Sequence, residues 1–502
     1  MEYVFLALGL ALPWLLGSAL LTAFDWPRSI ADAERDGWTC GGLALRLGYG
    51  YVIGLLAVTL WMRALSAAGI GFGRASIGVP LLAAAGALVF LAVRRNGLTL
   101  ATLRAAAQGL VRPTLPRWER WAWTLLLGWL ALRFGLIAAE VAWRPLYPWD
   151  AWTQWGTKAR VWYELGHIAP FVRADAWLAG ASGAYFDAAP DTPATIPLLQ
   201  VWSCIALGRW DDAAMNWPWP LMLVALTLAV YGALRSVGLS SLGSLCSAYL
   251  VASFPLLDAH AALAGYPDLM LSGVYTLAVL AFHRSVVRKD VRDALIALVL
   301  ALACPFIAPV GAVWMLTLIP GVIVVLLPRR GLGLIGAAFG VAALAVLVLA
   351  RTDFTLFGRD FHLDYHPPWH ELGDAYFLFG NWHLLWYAVI ALAIVGARRL
   401  VRPPLAPLAA IVAAGFGFLF VAYAFTRAPG WIVDPGSINR TTLHLAPLLV
   451  CLSALLWREL TVRPGRVQPG APGAGASADA PSDTTPPPAA IEAPTPHGAR
   501  SS

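Results

Sequence analysis

The chain is short of charge: Asp, Glu, Lys and Arg make up only 13% of its 502 residues, against roughly a quarter in soluble domains. With 59% hydrophobic residues it cannot dress a soluble surface, and it reads as a polytopic membrane protein. Cysteine is scarce as well. Cys40, Cys204, Cys246, Cys304 and Cys451 are scattered without a CxxC spacing, mostly in apolar runs, a pattern that indicates neither a disulfide framework nor a zinc site. A basic n-region is missing: Glu2 precedes the apolar run 3–22, which therefore reads as a first spanning helix and not a cleaved signal. No internal repeat of the transporter kind is visible. The net charge of +7 comes from Arg groups in short connections between apolar runs, so nucleic acid is not an expected partner.

Tryptophan is abundant instead. Twenty-four of them suit a protein with much area at membrane–water interfaces, where indole rings settle. Apolar runs fall near 3–22, 43–65, 78–94, 121–143, 214–234, 241–257, 268–284, 291–304, 309–327, 332–350, 384–397, 405–425 and 441–460. They predict an all-α polytopic integral membrane protein of about thirteen transmembrane helices. Pro305 and Pro309 interrupt 291–327, giving either a helix pair or one broken helix. Basic residues at 94–120, 284–292, 329–330 and 398–402 alternate correctly with the spans and mark the cytoplasmic side. The loops 144–212, 258–267, 351–383 and 426–440 then share the outer face. Residues 1–120 hold three N-terminal helices and a basic cytoplasmic connection, and 121–461 form the core. From 462 to 502 the chain is rich in Pro, Ala, Gly and Ser, the composition of a disordered cytoplasmic tail.

The first outer loop, about seventy residues long, carries the densest chemistry. Asp150 stands at its entrance in Tyr147-Pro148-Trp149-Asp150-Ala151-Trp152. From Ala151 to Leu165 the pattern is helical: Trp152, Trp155 and Trp162 share one face, and Thr153, Thr157, Arg160 and Glu164 line another beside Gln154 and Lys158. A Trp face opposed by a polar face predicts a helix lying in the interface plane. Asp150 at its start reads equally as an N-cap and as a catalytic carboxylate. Pro190, Pro193 and Pro197 predict a shaped, re-entrant or surface-lying connection, and Asp211 and Asp212 predict helix caps. Asp268, in Gly265-Tyr266-Pro267-Asp268-Leu269, opens a later span, where a carboxylate either caps or serves a function.

Trp149-Asp150-Ala151-Trp152 after a spanning helix, the amphipathic segment behind it and Gly265-Tyr266-Pro267-Asp268-Leu269 opening a later helix resemble the GT-C glycosyltransferase superfamily. The nearest type is its PMT-like branch of protein O-mannosyltransferases and aminoarabinose transferases. The resemblance covers roughly 121–460 and departs in two respects: three spans precede the core, and one carboxylate stands where an adjacent pair is common. It implies a bundle working outside the cytoplasmic membrane on a polyprenyl-phosphate-linked sugar, with a glycan, lipid or protein acceptor and membrane lipids as partners. It makes Asp150 the catalytic carboxylate and Asp268 its acidic partner. Displacing a lipid phosphate needs a base for the acceptor proton and positive charge on the leaving phosphate. Arg440, in Ser437-Ile438-Asn439-Arg440-Thr441-Thr442-Leu443-His444, can grip phosphate bidentately, or snorkel to headgroups. Lys158 and Arg160 come second to it, and Tyr266 and Asp191 complete the expected substrate-facing set. His362, Asp364 and His366 project to one side of an extended chain, as a metal set or as a polar entry loop. Some members of the superfamily use a divalent cation, though nothing in this sequence fixes one. The competing class is a transporter, or a flippase or polymerase for lipid-linked glycans.

Overall fold

Apolar runs that must satisfy their own backbone hydrogen bonds become helices. The computed structural model describes residues 1–26, 39–111, 113, 115–352, 354–356, 359–361, 363, 365–425 and 435–461. The described residues are 77% helical. Its described strands are a parallel pair, Phe171–Val172 with Tyr185–Phe186, and an antiparallel pair, Phe354–Leu356 with Arg359–Phe361.

Among the described residues eight helices are long and apolar enough to cross a bilayer: Glu2–Ala23, Gly41–Ala67, Arg74–Asn96, Arg117–Trp143, Ala214–Ser236, Asp268–Arg288, Gly331–Leu349 and Ala406–Phe425. Ser241–Ala252 and Pro255–Ala262 make a ninth when counted as one span bent by 60°. The remaining expected ranges are helical but short, as Val291–Ala303, Gly311–Leu316 with Leu318–Leu326, Leu385–Leu400 and Ala446–Thr461. Sixteen residues rise only about 24 Å against a hydrocarbon core of about 30 Å. The run 291–327 is broken, with a tight turn at Cys304–Phe306 around Pro305.

Among the described residues, two helices of twelve residues or more escape the sequence pattern. Leu100–Val111 is one. The other, Thr195–Leu207, lies where a shaped connection was expected, and all its residues are buried. Pro197 falls in its first turn, where a missing N–H breaks no intrahelical bond.

The first two helices touch backbone to backbone. A Cβ at Gly17 would lie 1.9 Å from the Gly50 carbonyl oxygen, and one at Gly54 would lie 1.8 Å from that of Pro13. Small residues four apart permit this approach. The second helix then ties to the rest: the Tyr49 hydroxyl donates to Leu277 O (2.9 Å) and that of Tyr51 to Pro218 O (3.2 Å).

The bend after Ala252 frees carbonyls, which side chains from elsewhere satisfy. Arg133, from Arg117–Trp143, donates to Ala252 O (3.2 Å), Ser253 O (3.1 Å) and Asp258 (3.1 Å). His383 reaches Ser253 O at 2.8 Å. The helix Asp268–Arg288 links two polar clusters, at Asp268 and at Arg284, about 24 Å apart along its axis. Asp268 belongs to one. At the other end the buried Asp293 takes Arg284 (3.0 Å) and the Trp26 indole (2.7 Å). The expected tail at 462–502 lies outside the described residues.

Candidate active site

Asp150 and Asp268 both start helices, and neither caps its own. After Asp150 the backbone winds as a π-turn over Ala151–Gly156 and continues as an α-helix over Thr157–Leu165. The expected helix at 151–165 therefore exists. Trp155 and Trp162 are buried, whereas Trp152 is exposed against Trp149. Asp150 has helical torsions, and its side chain makes no cap hydrogen bond. Its carboxylate instead lies 3.5 Å from Arg440 Nη1 and is 42% exposed. Asp268 occupies the first helical position, after Pro267. Its buried carboxylate accepts through Oδ2 from Arg440 Nε (3.2 Å) and Nη2 (3.0 Å).

One guanidinium thus bridges two carboxylates from distant loops. Its plane also covers the Tyr266 ring, 4.1 Å from the centroid. The second loop reaches the first at Gly265, whose φ of +107° suits glycine. A Cβ there would stand 2.7 Å from Ala151 Cβ. Trp219 fixes the turn by donating its indole N–H to Tyr266 O (2.8 Å). Arg440 rides on the helix Pro435–Leu443. Trp382 and Tyr376, both from the third loop, brace that helix through Asn439 (3.2 Å) and Thr442 (3.0 Å).

Burial works against the Arg440 charge, yet Asp268, Tyr266 and Asp150 outweigh it and hold its guanidinium above the ordinary arginine range. Burial also pushes the Tyr266 phenol up, with Arg440 acting in the opposite sense. Asp268 is fully engaged. Asp150, more exposed and held by one contact, is the carboxylate a substrate can reach.

Two histidines to which the sequence assigned no role stand against the buried Asp268. His444 Nε2 is 3.4 Å from Asp268 Oδ1, and His260 Nε2 is 3.9 Å from Oδ2. The Trp314 indole donates to His444 Nδ1 at 3.0 Å, which places the His444 proton on Nε2. A signal existed in the sequence: His260 interrupts an apolar stretch eight residues before Asp268, and His444 closes the Arg440 segment.

The other expected site residues stand elsewhere. Lys158 is buried, 3.4 Å from Asp187, and donates to Ala189 O (2.7 Å) and the Thr192 hydroxyl. Burial pulls its ammonium below the ordinary lysine range, and Asp187 offsets part of this. It ties the first loop to itself and is not free to hold a headgroup. Arg160 is exposed, paired with Glu164 at 2.7 Å and lying over Trp210. Asp191 is 82% exposed and 3.6 Å from Arg173. Asp211 caps as expected, accepting from the amides of Ala213 (3.0 Å) and Ala214 (2.8 Å). Asp212 does not; its carboxylate takes the Trp210 indole at 2.6 Å. His362 and Asp364 lie outside the described residues, and His366 is exposed. Among the described residues no three His, Cys, Asp or Glu are grouped to hold a metal ion.

Fold and site together define an all-α membrane protein whose loops converge on a carboxylate–arginine cluster. Comparison with family models, curated proteins and solved structures yields no match.

Proposed function

We propose that the protein is a membrane glycosyltransferase of the GT-C type, in its PMT-like branch. It moves a sugar from a polyprenyl-phosphate donor to an acceptor hydroxyl at the outer face of the cytoplasmic membrane, with inversion. The observation that carries this reading is the meeting of Asp150 with Arg440, which binds Asp268 from 172 residues away along the chain. Independent helix caps have no reason to converge, and neither carboxylate caps its own helix.

The chemistry follows from the positions. Asp150 takes the proton of the acceptor hydroxyl. The acceptor oxygen bonds to the anomeric carbon as the carbon–phosphate oxygen bond breaks, and the phosphate leaves with that electron pair. Arg440, turned from Asp150 to the phosphate, neutralises the charge that develops there. Asp268 touches no reacting atom in this scheme; it holds Arg440 in place until the donor binds. Arginines end the helix Val79–Asn96, as Arg94 and Arg95, and the helix Leu385–Leu400, as Arg398 and Arg399. By the positive-inside rule these ends support a cytoplasmic placement for themselves and an outer placement for the site, and the Trp and polar faces of 151–165 support a helix along the interface.

Asp150→Asn preserves size and leaves the chain's packing alone. Transfer from a polyprenyl-phosphate sugar should fall by about 10²–10⁴-fold, the usual worth of a positioned base, with expression and melting unchanged. Undiminished transfer would remove Asp150 from the mechanism. Normal movement of lipid-linked sugar across vesicles, without any transfer by the wild type, would favour the flippase reading.

A further inference from the structure

His260 lies on the short arm Pro255–Ala262, beyond the 60° bend. Its Nδ1 is 2.9 Å from Leu256 O, a carbonyl that accepts only a proton, so in the neutral ring Nε2 carries the lone pair. That nitrogen is buried, has no hydrogen-bond partner, and faces Asp268 Oδ2 at 3.9 Å. Two acceptors therefore confront each other across a gap that a proton would close. His444 cannot supply this proton-accepting role, because Trp314 occupies its Nδ1 and leaves its Nε2 as a donor.

We propose that His260 takes up a proton when an anionic phosphate headgroup binds Arg440, and that this protonation releases Arg440 from Asp268. The inference rests on the phosphate-binding reading of Arg440. Asp268 Oδ2 now receives both Arg440 contacts. Protonated His260 offers the same oxygen an N–H donor, so the guanidinium can turn outward without leaving a buried carboxylate unpaired. The charges agree. Asp150, Asp268 and Arg440 sum to one negative charge with His260 neutral, and a phosphodiester adds another, which favours a cation beside Asp268.

The groups facing His260 are Asp268 on the next helix, Arg440 and His444 from the helix Pro435–Leu443 and just beyond it, and Tyr266, its ring 5.9 Å away. On its own arm Asp258 is engaged by Arg133. From the packed helix Ala214–Ser236 comes Trp219, whose indole is spent on Tyr266 O. His260 acts through Asp268 and is a positioning residue.

The test uses the full chain in nanodiscs and a farnesyl methyl phosphodiester, whose single charge does not titrate between pH 5.5 and 8.5 (about the working range of the buffers). Titration calorimetry in buffers of different ionisation enthalpy should give net proton uptake on binding. Affinity should rise as pH falls, by up to about tenfold per pH unit for one linked proton. His260→Gln, which keeps a neutral donor toward Asp268, should bind with neither proton uptake nor pH dependence. Equal uptake in His260→Gln, or wild-type binding without uptake, overturns the proposal. Absence of wild-type binding at any pH overturns the phosphate reading, and the coupling with it. A ligand-free ¹⁵N spectrum of the imidazoles separates the two failures. An unprotonated His260 Nε2 at alkaline pH beside a protonated His444 Nε2 is the expected pattern. The reverse tautomer at His260 sinks the proposal whatever the ligand does.

Discussion

At the scale of single residues, the cluster separates groups that hold from groups that react. Arg440 divides its fork between Asp268 and Asp150, a geometry that lysine's point charge cannot copy. Arg440→Lys should therefore lose at least tenfold in transfer despite keeping the charge, read from initial rates with the lipid-linked donor. Lys158 and Asp187 form the opposite case, a buried pair with no access to substrate. Lys158→Met would strand Asp187 and destabilise by about 3–5 kcal/mol, and Lys158→Met with Asp187→Leu should recover most of that loss. Melting of the purified protein checks both. Asp150 was legible in the sequence because it opens the longest polar loop inside a Trp-rich motif, and Arg440 because it stands on the face where arginine is scarce. His260 was not, because its meaning depends on a bend that carries it to a carboxylate on another helix.

At the scale of elements, glycine spacing decides how near helices come. Gly54→Leu must push Pro13 away, and the contact between the first two helices cannot close around an isobutyl group. Lower melting and poorer recovery from the membrane are expected, whereas Gly86→Leu, with open space around its Cβ, should behave as wild type. The spanning helices were readable from length and apolarity alone. Thr195–Leu207 was not, since a helix buried on every side presents no polar stripe to give a period away, and its prolines pointed to a loop. The helix at 151–165 was readable because Trp and polar faces alternate along it, although the wider π-winding of its first turn leaves no mark in that pattern.

At the scale of the whole molecule, two polar clusters are held about 24 Å apart by Asp268–Arg288. If the Asp150 end faces outward, a cysteine replacing the exposed Trp149 should react with an impermeant maleimide added to intact cells. One replacing Arg95, exposed at the end of Val79–Asn96, should react only after permeabilisation. The opposite labelling would invert the orientation and remove the site from the outer face.

The hold that Arg133 keeps on the bend also has a history in time. Its carboxylate partner, Asp258, lies 125 residues further along the chain. The ribosome therefore delivers the helix Arg117–Trp143 to the membrane while the arginine's counter-charge is still unmade. An arginine near the centre of a spanning helix opposes insertion by about 2.5–3.5 kcal/mol at the translocon. The leucines and tryptophans of that helix must carry it in unaided. A nascent chain arrested before Asp258 keeps Arg133 without its carboxylate, and this helix takes its final place only when a much later segment arrives to complete it.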